Sequence, residues 1–290
     1  MKNKRVAILS CVSFNSELVR RQLINYSASH GEDAKHFLHV ASDGDISIDE
    51  LNTITNVDVD ATTSSYRTSN LCNFGGQIAN SKRLRASSEN FGYVYIHTDA
   101  DLIVKGNLAD YINRYKCGFL KQKPSTNWPH YQKMISDPCF RAMRKHLGIN
   151  DEDIISGRQE GAFFPFELWS EMSKLFEKFY HEDFFSDRSR LWPLEEGIVP
   201  TVAAKLIGTS YEDYKPSVTN VVVTKPLKPS PDRRNPRDIA ENCVQKEDIE
   251  KTLAAHPNRE CIAMKWFSRE VDDPTAKFAY ENLKALSLDR

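Results

Sequence analysis

Over its first hundred residues the chain alternates between apolar runs of strand length and segments with helical spacing, and this alternation restricts it to the α/β folds. "RVAILSCV" (5–12) reads as a buried strand. "NSELVRRQLINYSA" then sets Leu18, Gln22 and Ile24 to Tyr26 at helical spacing, with Asn15 or Ser16 as N-cap. A second strand is expected at "KHFLHVAS" (35–42), closed by the turn "DGD", and a weaker third at "NVDVDA" (56–61). A helix over "NFGGQIANSKRLRASSE" (73–89) leads into a strand at 92–97. Units of this kind bind ligands in the crevice at the carboxyl ends of their parallel strands.

One such end carries "YVYIHTDADLIVKGNL" (93–108), which places Asp99 and Asp101 one residue apart. On an extended strand end, carboxylates in D-x-D spacing point to the same side and can share a divalent cation and its phosphates. Magnesium and manganese take a few carboxylate oxygens and complete their shell with water and phosphate. Two aspartates there also serve as plain turn formers, so the pair alone does not decide.

Beyond residue 110 the order is less regular. "KCGFLKQK" is a candidate strand and "DPCFRAMRKHLG" a short helix. "PFELWSEMSKLFEKFYH" is an amphipathic helix with Phe166, Trp169, Met172, Leu175, Phe176 and Phe179 on one side. "PLEEGIVPTVAAKLIG" reads as a helix interrupted early by Pro200, and "KPLKPSPDRRNPR" (225–237) as a proline-rich basic loop. No internal repeat is visible.

Composition excludes several classes. With 39 basic and 40 acidic side chains in 290 residues, no global field attracts nucleic acid. The six cysteines, at 11, 72, 117, 139, 243 and 261, show no CxxC pair, which argues against a disulfide framework or a structural zinc site. Val6 to Val12 is too short for a signal-peptide core, and no run approaches the ~20 apolar residues of a membrane span. A soluble or peripheral protein of the reducing cytoplasm is expected.

The order of motifs resembles that of the GT-A fold glycosyltransferases. The likeness rests on "YVYIHTDADLIV" after a nucleotide-binding half, on "RQEGAFFPFELW" (158–169) as an acceptor-side strand and helix, and on "WPLEEGIVPTVAAKLIG" (192–208) as an acidic segment opening a helix. It implies an α/β fold, a GT-A type, Rossmann-like mixed sheet flanked by helices. Residues 1–290 would form one domain, with 1–110 as its nucleotide-binding half and 111–290 as the acceptor-binding half and C-terminal lid. It implies Mn2+ or Mg2+, a nucleotide-sugar donor with a UDP-sugar as first choice, and a glycan or lipid-linked acceptor. It further implies a part in bacterial surface polysaccharide synthesis, with peripheral contact at the inner face of the membrane.

The resemblance also distributes roles. Asp99 would hold the ribose and a metal-bound water, Asp101 the metal directly, and His256 would be an additional metal ligand. Ser13 and Phe14, after the first strand, would contact base and ribose, and Asp43 and Asp60 lie near strand ends with the same possible duty. Glu195 and Glu196 are candidates for the general base of an inverting transfer, with Glu195 preferred; an acid at a helix N-terminus is an equal reading for one of them. Glu160 is a third candidate, as base or as a donor-sugar contact, or is a strand-end acid facing solvent. Lys265, Arg259, Lys82, Arg85 and the loop cations Lys225, Lys228, Arg233, Arg234 and Arg237 are candidates to meet the diphosphate, or are solvated charges.

Rival classes fit less well. A sugar-nucleotide pyrophosphorylase normally has a glycine-rich loop after its first strand, and "AILSCVSFNSE" has no glycine. A haloacid-dehalogenase-type phosphatase places its D-x-D on the first strand, with Thr or Val two residues on; here Ile103 follows, after several elements. A degenerate transferase kept for carbohydrate binding or assembly would have little reason to keep the aspartates.

Overall fold

The computed structural model describes residues 4–13, 16–41, 46–66, 72–98, 100–208, 214–221 and 240–288. Its first strand, β1 (Arg5–Val12), is apolar on both sides because a core lies on each: Ala7 and Leu9 enter one, Val6 and Ile8 the other. Helix α1 (Ser16–His30) returns the chain to β2 (Ala34–Val40). The short α2 (Ile48–Asn52) precedes β3 (Val59–Thr62), and α3 (Phe74–Ala86) precedes β4 (Phe91–Thr98). β1 pairs in parallel with β2 and β4, and β2 with β3.

The chain then leaves this sheet for β5 (Asp101–Lys105) and α4 (Leu108–Arg114), and returns as the two-residue β6 (Cys117–Gly118), much shorter than the run "KCGFLKQK" suggests. Helices α5 (Tyr131–Ser136) and α6 (Pro138–Leu147) follow. β7 (Phe163–Pro165) runs antiparallel to β4 and β6 and opens directly into α7 (Phe166–Phe179). After α8 (Glu182–Ser186) comes α9 (Leu194–Ile207), then β8 (Tyr214–Lys215), β9 (Thr219–Val221), α10 (Lys246–Ala255), β10 (Ile262–Lys265) and α11 (Pro274–Leu288).

Among the described residues the strands form a seven-stranded sheet, β3-β2-β1-β4-β7-β6-β8, and a three-stranded sheet, β5-β10-β9. The expected Rossmann-like mixed sheet flanked by helices is the observed one. The large sheet is covered on one side by α3, α7 and α9, around Phe74, Trp169, Phe176 and Trp192. On the other side Tyr26, Tyr95, Ile103, Leu108 and Ala263 fill the space between it and the small sheet. Trp169, Met172 and Phe176 are the buried stripe of α7, as its spacing predicts.

Two sequence expectations are corrected. The D-x-D pair does not sit at the end of one strand: β4 stops at Thr98 and Asp101 begins β5, in a different sheet. Nor does Pro200 interrupt α9, which is helical from Leu194 to Ile207. Proline removes the N–H that would bond the carbonyl four residues back, here that of Glu196. That carbonyl instead accepts the Gly157 N–H at 2.8 Å, so the helix continues with its orphaned acceptor satisfied from outside.

Candidate active site

The strand order reverses between β1 and β4: from β1 the sheet grows through β2 to β3 on one side, then resumes with β4 on the other. At such a switch point the loops leaving the two strands diverge and open a crevice at their carboxyl ends. Cys11 lies opposite Thr98 across this gap, so half-buried Ser13 and the turn from Thr98 to Asp101 border the crevice. Phe14, Asp43 and Asp99 lie outside the described residues, as do the loop cations from Lys225 to Arg237.

The turn between the sheets is held on every side. Asp101 is 0% exposed, and its carboxylate accepts hydrogen bonds from the Thr98 N–H (3.2 Å) and hydroxyl (3.3 Å). The buried amide of Gln22 on α1 donates to the carbonyls of Thr98 and Asp101 (2.9 Å to the latter). Ala100 O accepts the N–H groups of Trp266 (3.0 Å) and Phe267 (3.2 Å). Further along β5, Asn25 of α1 bonds both backbone groups of Ile103, and the Ser29 hydroxyl bridges Gly106 O and Leu108 N. His97, stacked on Tyr26 at 4.3 Å, is held by burial near a pKa of about 4 and carries no charge at neutral pH.

Residues 157–161 form a strap in which each member reaches a different part of the site. Gly157 donates to Glu196 O; the Arg158 guanidinium stacks over Trp266, 4.8 Å from the ring centroid; Gln159 accepts from Gln77 of α3; Glu160 pairs with Lys265; and Gly161 donates to Ile96 O of β4. Gly161 has φ of 78°, and a Cβ there would stand 2.2 Å from Thr219 N, so only glycine lets the strap pass between β4 and β9.

Glu160 is 6% exposed, with one oxygen against Lys265 and the other without a hydrogen-bond partner. It is not the solvent-facing acid that its position at a strand end suggests. Lys265 lies opposite Asp101 in the β10–β5 pairing, so Glu160, Lys265 and Asp101 meet at one end of the small sheet.

Glu195 and Glu196 open α9. Glu195 is 5% exposed; Oε1 accepts the Asn73 N–H at the start of α3 (3.2 Å) and Oε2 has no partner. Burial pushes its pKa up to about 8, outweighing the backbone donors that pull it down. Burial also raises Glu196, opposed by the Arg158 guanidinium.

Five candidates are not brought here. Helix α3 runs against the parallel strands, so its N-terminus faces the crevice while Lys82 and Arg85 lie toward the opposite end. Arg85 is committed to Ser173 and Glu177 of α7, and Lys82 to the Tyr66 hydroxyl at 3.0 Å. His256, the exposed C-cap of α10, precedes the end of β10 that pairs with Lys105, whose ammonium bonds Pro257 O. Lys105 is four residues along β5 from Asp101, roughly 13 Å of strand. Arg259 donates to Ser217 O, and Asp60 pairs with Arg83 at 3.4 Å.

No family model matches the chain. No curated protein matches it either. Similar solved structures include TarS of S. aureus, with a TM-score of 0.38 and 12% identity over 73% of this chain and 35% of that one. They include the galactosyltransferase LgtC in complex with donor and acceptor sugar analogues, with a TM-score of 0.41 and 10% identity over 97% of this chain and 96% of that one. An active-site mutant of LgtC gives a TM-score of 0.38 and 9% identity over 96% and 95%. This chain thus spans about a third of TarS and nearly all of LgtC.

Sequence reasoning missed Arg158, Gln159, Trp266 and Gln77. Trp266 has φ of 80°, a left-handed conformation that costs a bulky residue about 1–3 kcal/mol and persists only where its surroundings impose it. Nothing in the sequence announces that. Gln159 and Arg158 flank a segment already singled out, and "QEG" was the available signal. Carboxylate oxygens are the donors that Mg2+ and Mn2+ take, and one or two suffice when phosphates complete the shell. Among the described residues no three His, Cys, Asp or Glu side chains group as metal ligands. Asp101 puts such a carboxylate in the turn that leaves β4 at the switch point, which suits a cation shared with substrate phosphates.

Proposed function

We propose that this chain is a metal-dependent glycosyltransferase that moves a sugar from a nucleotide-sugar donor to a hydroxyl of a glycan or lipid-linked acceptor. The observation that carries this reading is a buried aspartate in the turn leaving β4 at the β1–β4 switch point, together with a carboxylate raised to a pKa of about 8 that accepts the N–H of Asn73, whose carbonyl is bonded by Cys11 at the end of β1. Acidic ligands at a switch-point crevice suit a nucleotide diphosphate with its cation. A carboxyl with a pKa near neutrality suits proton abstraction.

Ser13 and Asp99 would bind the nucleotide, and Asp99 and Asp101 would hold Mg2+ or Mn2+; the chemistry supplied there is charge neutralisation of the departing diphosphate. Glu195 would take the proton of the acceptor hydroxyl as its oxygen attacks the anomeric carbon, with Glu196 next in line. Glu160 would orient the donor sugar and hold Lys265 beside the diphosphate. Residues 1–110 would serve the nucleotide and 111–290 the acceptor. A UDP-sugar is the first donor to test, and surface polysaccharide synthesis at the cytoplasmic face of a membrane is the proposed setting. No helix among the described residues is long and apolar enough to cross a membrane.

The test is calorimetric titration of UDP, GDP and CMP, each with manganese and with chelator, followed by turnover of the matching sugar nucleotide. Metal-dependent binding of one nucleotide with turnover is expected. Binding that is indifferent to chelation would remove the reading. Metal-dependent binding without any turnover would leave a carbohydrate-binding or assembly protein.

A further inference from the structure

Arg158 is half-buried, and among the described residues no side chain or carbonyl accepts a hydrogen bond from its guanidinium. Other half-buried arginines among the described residues are committed: Arg83 to Asp60, Arg85 to Glu177, Arg21 to three carbonyls. What fixes Arg158 is the Trp266 ring beneath it. That ring is in turn set by a left-handed backbone pinned to Ala100 O, between the two aspartates. The backbone places Arg158 beside the paired glutamates, because the preceding residue, Gly157, donates to Glu196 O at 2.8 Å. A planar guanidinium stacked on an aromatic ring keeps its N–H edge free for a bidentate oxyanion.

We infer that Arg158, braced by Trp266, is an acceptor-side oxyanion subsite, so that the acceptor carries a phosphate or carboxylate close to the hydroxyl that is glycosylated. This rests on the transferase reading above for the word acceptor, but not for the anion. The donor's diphosphate has its own partners in Asp101, its cation and Lys265. Arg158 instead adjoins the glutamates that would receive the acceptor's proton, and an anion bound there would be neutralised by the guanidinium before it could repel them.

The test follows the four indole N–H signals by NMR in uniformly 15N-labelled protein, with Trp266 assigned by Trp266→Phe. Methyl phosphate, acetate and uncharged methyl glucoside are titrated in turn. A saturable shift of the Trp266 signal with methyl phosphate or acetate but not with methyl glucoside is expected, and whichever anion acts at lower concentration names the group. Arg158→Met, which keeps the apolar stem, should weaken the response at least tenfold, and Arg158→Lys should retain part of it. UDP affinity with manganese should be unchanged in both variants. With turnover in hand, Arg158→Met should raise KM for a phosphorylated acceptor about tenfold and leave KM for its uncharged counterpart alone.

Equal anion response in wild type and Arg158→Met would overturn the subsite. Loss of UDP affinity matching the loss of anion response would move Arg158 to the donor side and overturn the acceptor assignment. If UDP fails to bind wild type while methyl phosphate still moves Trp266, the anion subsite stands and the transferase reading falls.

Discussion

The two sheets are stabilised by different means. At the centre of the large sheet β1 lies against β2 and against β4 over seven residues each, and is buried on both faces by apolar side chains. The small sheet has only short partners, and one edge of β5 has no strand beside it among the described residues. Its backbone is satisfied there by side chains of α1, Gln22, Asn25 and Ser29, at a spacing that keeps all three on one helix face. A sheet built from a backbone ladder tolerates substitution of any one side chain, whereas one hung from three polar residues does not. The difference puts Asp101, the candidate metal ligand, on the sheet whose placement is most easily disturbed.

Removing the candidate base should give the largest effect. Glu195→Gln is expected to lower turnover about 10²- to 10⁴-fold with nucleotide affinity retained, read by initial rates and calorimetry. In wild type, kcat/KM should rise with pH until about 8, as the carboxyl ionises. Stability should run the other way. Between the ordinary value of 4.5 and about 8 the folded state keeps a proton that the unfolded chain has released, so stability falls as pH rises through that window and levels off above it. Glu195→Gln should flatten this slope in denaturant titrations at pH 6 and pH 9, and be the more stable protein at pH 9. A variant as active as wild type would pass the role to Glu196.

Next in size is Asp101→Asn, which keeps the shape but loses the charge. Manganese-dependent UDP affinity should drop by ~3 kcal/mol, the order of a broken buried charge contact, while UDP titrated with chelator present should bind both proteins alike.

Asn25→Ala attacks the suspension of β5 directly. It leaves the N–H and C=O of Ile103 without their partner, and each orphaned buried group costs about 1–3 kcal/mol. Unfolding midpoints should fall accordingly, and donor affinity should fall with them because the aspartate turn moves. Substituting an apolar neighbour on α1 would not show this second effect.

The smallest effects should come from residues that the sequence nominates and the structure places elsewhere. Arg85→Gln should reduce stability by up to about 1 kcal/mol through loss of a partly exposed ion pair, with unchanged UDP affinity. His256→Ala should leave manganese dependence as it was; a shift of the metal titration would show that the α10 cap reaches the site after all.

The large sheet was legible because long parallel strands buried on both faces leave a nearly continuous apolar signature, and β1, β2 and β4 fall within a residue or two of where the runs suggest. β6 was not, since two paired residues carry no periodicity. The aspartates were visible, but not the break between β4 and β5, because apolar residues lie on both sides of the pair, Tyr93 to Ile96 and Leu102 to Val104, and pattern alone cannot say that the chain changes sheets between them. Glu195 and Glu160 were nominated by their place at a helix or strand end, and the structure buries both. Lys82 and Arg85 misled because helical spacing says which side chains share a face, not which end of the helix meets the ligand. Trp266 and Gln77 act through backbone strain and through an amide pair, neither of which alters composition.

The two bonds between Asn25 and Ile103 act as a vernier. Strand side chains alternate, so sliding β5 by one position against α1 would turn Asp101 from the crevice to the reverse face and bring Leu102 into its place. A short strand with few partners is where such slippage is easiest. Because the amide grips both the N–H and the C=O of one residue, a displaced strand would offer it groups facing the wrong way. The aim of the aspartate is thus fixed two residues downstream of it, at Ile103, by a helix residue seventy-eight positions before Ile103 in sequence.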